Sequence, residues 1–243
     1  SGGYARVLQR FAEVLREKGV EIRLNTKVLN AKTQSGKDAK IILECEPNPQ
    51  SAIRNPQFDM VILTCPSNIA AKICPQLTDL EKQKLENIKY QGIVCASVLM
   101  KNSLSNFYVT NITDETPFTG IIEMSALVDK KEFGGNALVY LPKYVAPDDE
   151  LFEKTDAEIE EIFLDTLEKM YSYFKREDVL EFKISRVRNV FPIPTLHYSA
   201  NVPEVKTSID RVFIVNSAQI TNGTLNVNET VQLAENFVVK YFD

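Results

Sequence analysis

Apolar residues recur at helical spacing near the start of the chain. Tyr4, Val7, Leu8 and Phe11 fall on one face of a helix, and Leu15 continues that face. Glycine follows soon afterwards, at residue 19, where it commonly ends a helix. The pattern predicts a first helix that ends near Gly19.

A longer helical pattern occupies residues 155–174. Thr155 and Glu158 have the spacing of a capping box, in which each side chain bonds the backbone amide of the other residue. Apolar residues then form one face of the predicted helix: Ile159, Ile162, Phe163, Leu167, Met170 and Phe174. We expect this helix to pack on a sheet and to bury Ile159, Phe163, Leu167 and Met170.

Short apolar segments separated by turn residues predict strands elsewhere. Residues 20–25, 26–33 and 40–46 suggest a β-meander, followed by a Pro- and Asn-rich loop over 46–57. Residues 58–66 are almost continuously apolar, as is typical of a strand buried on both faces. A capped helix at 78–88 and further strands are predicted at 90–101, 106–112, 119–128, 136–145, 180–191 and 211–215. The order of elements predicts an α/β (α+β) fold with a mixed, largely antiparallel sheet and covering helices.

Polar residues are concentrated between the last strand and the last helix. The segment 216–227 is rich in Asn and Thr and contains Gly223, and a helix is predicted from about Asn226, with Glu229 as a capping partner. The first amides of a helix are unsatisfied donors at the positive end of its dipole, so they suit electron-rich ligand groups. The same residues are also what a simple turn and helix cap require.

Composition excludes several classes of protein. The net charge is −5 with 28 basic and 33 acidic residues, which gives no electrostatic reason to bind nucleic acid. No stretch approaches the roughly 18 apolar residues of a membrane span. Four cysteines without a C-x-x-C pair and a single histidine make a metal site or a Ser-His-Asp triad improbable. We expect the cysteines to be free thiols without structural disulfides, which is typical of a reducing compartment, and we therefore expect a cytoplasmic protein.

Four segments resemble, in the same order, segments of flavin-dependent amine oxidases, protoporphyrinogen oxidases and phytoene desaturases. They are GGYARVLQRFAEVLREKGVEIRLNTKV (2–28), FDMVILTCPSNIAAKI (58–73), VRNVFPIPTLHYSANVPEV (187–205) and DRVFIVNSAQITNGTLNVNETVQLAENF (210–237). The resemblance implies a two-domain fold, bound FAD and an FAD-dependent oxidoreductase that transfers hydride from a small organic substrate to the flavin.

One departure from that family is large. Its members begin with a βαβ unit that carries a G-x-G-x-x-G turn and a downstream acid for the ribose, and this sequence has neither. The chain is therefore expected to be the C-terminal portion of a longer enzyme. We predict a partial, discontinuous FAD-binding domain over 1–75 and 206–243 and a substrate domain over 76–205. Alone, the chain is expected to be inactive, to lose FAD and to self-associate through exposed flavin-domain surface.

The resemblance also implies which residues contact the cofactor. Val28 matches the position whose backbone meets the adenine, and Cys65 and Pro66 match the end of a strand beside the flavin. The remaining candidates lie in the last segment: Asn216, Ser217, Gln219, Asn222, Gly223, Thr224, Asn226 and Val227. Because these segments would contact opposite ends of one FAD, we expect Val28 and residues 216–227 to lie within the span of a single cofactor.

Catalytic candidates are weaker. Lys101 ends an apolar strand, at a place where some family members carry a lysine that holds a water near the reactive flavin nitrogen. Histidine is the side chain that commonly serves as a base near neutral pH, so His197 is a candidate base, and Tyr198 is a candidate for the cavity wall. The plain alternative for Lys101 is an ordinary solvated lysine at the end of a strand.

Two other functions stay open. A flavin-dependent mutase or isomerase acting on a sugar nucleotide would share the fold, and it would favour Arg186 and Arg188 directed toward an acidic substrate. A solvated sheet face explains both arginines as well. A binding domain without redox activity is the alternative from a different class.

Overall fold

The computed structural model describes residues 3–34, 40–46 and 55–242. Most of the predicted loop at 46–57 lies outside these residues, as does Gly2 of the Gly-Gly pair. The chain forms two compact units. The first contains residues 1–11 and 90–190, and the second contains residues 12–89 and 191–243. The sequence suggested boundaries at 76 and 205. Residues 76–89 and 191–205 instead lie in the second unit, and residues 1–11 lie in the first. The assignment of the units to flavin and substrate stays a prediction.

A five-stranded sheet forms the first unit. Its strand order is β6-β7-β8-β5-β9. The strands are β5 (Tyr90–Met100), β6 (Val109–Asn111), β7 (Gly120–Glu123), β8 (Ala137–Val145) and β9 (Val179–Pro192). The central pair β5 and β8 is antiparallel from Gly92↔Val145 to Met100↔Ala137. Burial alternates strictly along β5, so every second residue faces the core below α4 (Asp156–Met170).

Helix α4 begins at the predicted capping box. The hydroxyl of Thr155 accepts a bond from the amide of Glu158, and the Glu158 carboxylate accepts from the amide of Thr155 at 2.8 Å. Ile159, Phe163 and Leu167 are fully buried, as predicted. Met170 is 37% exposed, so its predicted burial is wrong. The helix ends there and not at residue 174, because Tyr171 adopts an extended backbone and turns the chain away.

The first helix, α1 (Gly3–Glu17), forms where the sequence predicted it and is followed by Gly19 with a φ of +82°. Its apolar face is nevertheless exposed. Tyr4 is 70% exposed and Val7 is 63% exposed, and α1 contains no buried residue. The periodicity was therefore a sound guide to the helix but not to its packing within the described part of the chain.

Two small sheets and four helices form the second unit. The antiparallel sheet contains β1 (Val28–Thr33), β2 (Ile41–Cys45) and β3 (Gln57–Phe58), and the parallel pair is β4 (Val61–Leu63) with β10 (Val212–Ile214). The helices are α2 (Ser67–Ile73), α3 (Asp79–Glu86), α5 (Tyr198–Asn201) and α6 (Val227–Phe242).

Residues 20–25 do not form the strand that their alternation predicted. Val20 and Leu24 are exposed, and Asn25 has a φ of +53°. A left-handed residue is incompatible with a regular strand, and the exposed side chains gain nothing from pairing.

A buried glutamate closes one end of the sheet in the first unit. Glu123, at the end of β7, is fully buried and accepts a bond from the amide of Ser105 at 2.8 Å. The hydroxyls of Ser105 and Ser125 also donate to it. These donors replace water around the carboxylate and fix the loop that follows β5.

No helix in the described ranges combines the length and apolar character needed to cross a bilayer. Likewise, the described residues contain no cluster of three or more His, Cys, Asp or Glu side chains arranged to hold a metal ion.

Candidate functional site

The candidate site lies where two parallel strands of the second unit end. In β4 and β10, Val61 pairs with Val212 and Leu63 pairs with Ile214, and all four are buried. Because the strands are parallel, the loops that follow them leave from the same edge. Crevices at the carboxyl ends of parallel strands are the usual place for ligands in open α/β sheets.

Asn216 joins these two loops. Its side-chain amide donates to the carbonyl of Cys65 at 2.9 Å and to the hydroxyl of Ser67 at 3.3 Å. Its side-chain oxygen accepts from the amide of Ala218 at 2.9 Å. With 7% of its surface exposed, Asn216 is a buried polar group whose bonds all go to the protein. The structure thus brings together Cys65 and Asn216, which the sequence placed in one site from segments far apart in the chain.

The loop after β10 is held by a second amide. Gln219 accepts from the amide of Asn216 at 2.7 Å and donates to the carbonyl of Ile214 at 3.0 Å. The hydroxyl of Tyr198 donates to the carbonyl of Ala218 at 2.8 Å. Tyr198 is buried, so in this structure it supports the loop from below. Ser217 begins the short 3-10 turn that these bonds stabilise.

The start of α6 contains the rest of the predicted contacts. Asn226 caps the helix, since its side-chain oxygen accepts from the backbone amide of Glu229 at 3.0 Å. Its side-chain amide donates to the carbonyl of Thr224. Gly223 has a φ of +116°, and a Cβ there would lie 3.1 Å from the Glu229 carboxylate. The amides of Val227 and Asn228, in the first turn of the helix, have no carbonyl partner within it.

A polar depression of about 300 Å³ separates this loop from α6. Its lining includes Gln219, Asn222, Glu229, Gln232 and Asn236. The amides can both donate and accept, which suits a ligand ring that carries carbonyl and N–H groups. The Glu229 carboxylate opposes an anionic group at the same place, so the charge of this depression does not favour a phosphate.

Cys65 and Pro66 lie at the end of β4, as expected. Pro66 precedes α2, and its carbonyl accepts from the amides of Ile69 and Ala70. Burial raises the pKa of the half-buried Cys65 thiol, so it is a neutral group at physiological pH. Val28 begins β1 opposite Cys45 and is half-buried. Its distance from the 216–227 loop stays a prediction.

Burial gives the cysteine after α2 a reactivity that can be measured. Desolvation, with a smaller effect of nearby Cys65, raises the pKa of the Cys74 thiol to about 11 from the ordinary value of 9.0. Cys74 is also fully buried, so the reagent reaches it only when the structure opens. Since the thiolate is the nucleophile, at pH 8 we expect alkylation of Cys74 to be at least roughly a hundredfold slower in the folded chain than in the chain unfolded by urea. Peptide mass spectrometry after iodoacetamide treatment measures this. Equal rates in the folded and unfolded chains would contradict the expectation.

Of the three catalytic candidates, Tyr198 bonds to the loop after β10, whereas Lys101 and His197 make other contacts. The ammonium of Lys101 donates to the carbonyl of Glu177 at 2.9 Å and lies 3.8 Å from the carboxylate of Asp178, so it ties β5 to the start of β9. His197 is exposed and has a φ of +60°, and its carbonyl accepts from the amide of Ala200. These bonds of Lys101 and His197 do not involve residues 216–227.

The two arginines of β9 are engaged within the first unit. Arg186 donates to the carbonyl of Lys154 at 2.8 Å and pairs with Asp156. Arg188 pairs with Glu153 at 2.6 Å, and its guanidinium lies 4.5 Å from the centre of the Phe152 ring. The contacts anchor the segment before α4. They do not support the role in binding an acidic substrate that the sequence left open.

Sequence reasoning missed a cavity in the first unit. It has a volume of about 710 Å³ and lies between the start of α1, the turns that follow β7, and strand β8. Apolar and aromatic side chains dominate its lining: Tyr4, Met124, Leu127, Phe133, Leu138 and Tyr140. The sequence feature that could have indicated this cavity is in β8. Both faces of this strand carry apolar residues, although only one face packs below α4.

Comparisons with solved structures show which proteins share this fold. A protein assigned as a protoporphyrinogen oxidase from Exiguobacterium sp. matches with a TM-score of 0.76 and 16% identity, over 96% of this chain and 50% of that one. Putrescine oxidase bound to putrescine matches with a TM-score of 0.69 and 16% identity, over 98% and 52%. UDP-galactopyranose mutase matches with a TM-score of 0.57 and 14% identity, over 80% and 41%.

The model of the flavin containing amine oxidoreductase family matches residues 1–224. The chain therefore belongs to that family. It spans about half the length of the structures it matches. No curated protein sequence matches it.

Proposed function

We propose that this chain is the C-terminal portion of an FAD-dependent oxidoreductase that transfers hydride from an organic substrate to the flavin. One observation carries the proposal. Asn216 joins the loops at the carboxyl ends of β4 and β10, in a chain that belongs to the amine oxidoreductase family. These loops contain most of the residues that the sequence assigned to the cofactor.

The chemistry of these loops fits the ring end of a flavin. Asn222 offers a neutral amide, Asn216 and Gln219 hold the loop in place through their own amides, and the start of α6 offers backbone donors. When bound, the flavin supplies the redox chemistry, while the protein supplies position and electrostatics. The loop residues assigned to the cofactor include no lysine or arginine, and Glu229 lies beside them. We therefore propose that the pyrophosphate is held by residues outside this chain, and that the Val28 backbone holds the adenine.

Exposed apolar surface supports the proposal that a further segment completes the protein. On α6, Val239 is 63% exposed and Phe242 is 51% exposed. Ile62 of β4 is 42% exposed, although its strand is apolar throughout. Natural sheets protect such strands, and large exposed apolar patches are usually covered by a partner. Without that cover, self-association of the chain is expected. An in-frame βαβ segment with a Gly-rich turn, encoded upstream, would support the proposal, and its absence would favour a binding domain without redox activity.

The Asn216→Ala substitution tests the site directly. In the polypeptide that includes this chain and the segment encoded before it, the change removes the bonds to Cys65 and Ser67 and leaves the carbonyl of Cys65 without its buried partner. An unsatisfied buried group costs about 1–3 kcal/mol, and we expect flavin affinity to fall roughly tenfold or more as the loop loosens. Absorbance at flavin wavelengths after dialysis measures retention.

Asn102→Ala is the matched control, because Asn102 makes an exposed bond to Asp178 in the first unit. It should retain flavin like the unchanged protein. Equal flavin retention by the Asn216→Ala protein and the control would remove Asn216 from the cofactor site.

A sugar-nucleotide mutase is the second candidate. The similarity to UDP-galactopyranose mutase favours it at the level of fold. The ion pairs of Arg186 and Arg188 do not favour it, because their guanidiniums are already neutralised by carboxylates.

The four cysteines are free, which supports the further proposal of a reducing, cytoplasmic location.

A further inference from the structure

The 710 Å³ cavity in the first unit has the size and lining of a binding site for a bulky molecule. A cavity of about 150 Å³ accommodates one benzene ring, and pockets for larger ligands run from about 300 to 1,000 Å³. Several fused or linked rings would therefore fit, whereas a small linear diamine would leave most of the volume unfilled. Unfilled apolar surface contributes no binding energy.

The charges around the cavity point the same way. Asp129 and Glu132 are its acidic lining residues. The Asp129 carboxylate accepts from the amide of Lys131 at 3.0 Å and lies 3.9 Å from the Lys131 ammonium. Glu132 also has a partner. Neither carboxylate is an unpaired anion, and a small dication needs such a group to bind.

Two tyrosines provide polar contacts. Tyr4 and Tyr140 line the cavity, and neither hydroxyl bonds to any residue in the described part of the chain. Tyrosine combines a flat apolar ring with a donor at its edge, so it recognises rings that carry hydrogen-bond acceptors. Leu127, which is 66% exposed, and Phe133 add apolar surface on the opposite wall from β8.

We propose that this cavity binds the substrate, and that the substrate is a bulky, apolar, ring-containing molecule with hydrogen-bond acceptors, not a small aliphatic diamine. The inference rests on the proposed oxidoreductase function, because it names the substrate class of that enzyme. It uses residues of the first unit only. Its test therefore does not depend on bound flavin.

The neutral fluorescent compound N-phenyl-1-naphthylamine is the probe, with the 243-residue chain as the protein. We expect saturable binding, seen as increased fluorescence, that putrescine in large excess does not reverse. Leu127→Glu places a charge on the cavity wall while changing an exposed residue, so it should weaken probe binding at least tenfold. Phe133→Ala should weaken it severalfold through lost apolar contact.

Leu180→Glu is the control, since Leu180 is 44% exposed on β9 in the first unit and does not line the cavity. It should leave the probe affinity unchanged. The proposal is overturned if the probe does not bind, if putrescine displaces it, or if Leu127→Glu and Leu180→Glu have the same effect. Loss of flavin by the Asn216→Ala protein with intact probe binding would separate the two sites. If the polypeptide that also includes the segment encoded before this chain binds the probe as proposed but never binds flavin, the oxidoreductase function alone is refuted.

Discussion

The 243-residue chain, mixed with FAD and passed over a desalting column, is expected to emerge colourless. The loop residues assigned to the flavin and the Val28 backbone offer contacts for its two ends, but the sequence has no Gly-rich turn for the pyrophosphate and no matching acid for the ribose. Bonds to charged groups are worth about 1.5–3 kcal/mol each, so the loss of only two weakens binding by about a hundredfold or more. Absorbance of the eluted protein near 450 nm, compared with its absorbance at 280 nm, measures the retained flavin.

A circular dichroism spectrum of the eluted chain provides the control, because a colourless but unfolded protein would say nothing about the site. A folded flavoprotein on the same column should stay yellow. Stoichiometric flavin on the folded chain would show that the pyrophosphate is bound by residues already present, and it would overturn the proposal that another segment supplies that site.

Replacing Phe163 by alanine should have the largest effect on stability. Phe163 is fully buried in α4, and its ring meets that of Phe118 edge-on at a centroid distance of 5.3 Å. Removal of a buried phenylalanine side chain costs about 3–5 kcal/mol, through lost apolar transfer and the cavity left behind. Urea unfolding followed by far-ultraviolet circular dichroism measures the change in the free energy of unfolding.

Met170→Ala is the comparison within the same helix. Met170 lies on the same apolar face in the sequence but is 37% exposed at the last turn. Its replacement should cost less than about 1.5 kcal/mol, since a partly exposed side chain loses less on truncation. Equal costs for the two substitutions would mean that α4 packs differently from the structure described here.

Local signals in the sequence were sufficient for elements whose stability is local. The capping boxes at Thr78 and Thr155 start α3 and α4 where predicted, because each depends on residues three positions apart. The strand predicted at 90–101 likewise forms, as β5 from Tyr90 to Met100. Where the outcome depends on a partner, the sequence was a weaker guide. Residues 20–25 alternate like a strand but form none.

The candidate site shows the same division. Cys65 and Asn216 could be assigned to one site only through resemblance, because nothing in either segment specifies a hydrogen bond to the other. The pairing of Arg188 with Glu153 was equally invisible, since it depends on how the segment before α4 returns to β9. The cavity of the first unit is formed by three segments that touch only after folding, so the apolar residues on both faces of β8 could not by themselves locate it.

The bond from Asn216 to Cys65 also has a consequence for the order of folding. It joins residues 151 positions apart in the sequence. The strands that lead to it, β4 and β10, pair across a similar separation in the sequence. Between them lie all five strands of the first unit, from Tyr90 onward. During synthesis those strands leave the ribosome before β10 does, so they can fold while β4 still lacks its neighbour. Pairing over such a separation is intrinsically slow. We therefore expect the loops of the candidate flavin site to be the last part of the chain to reach their native arrangement.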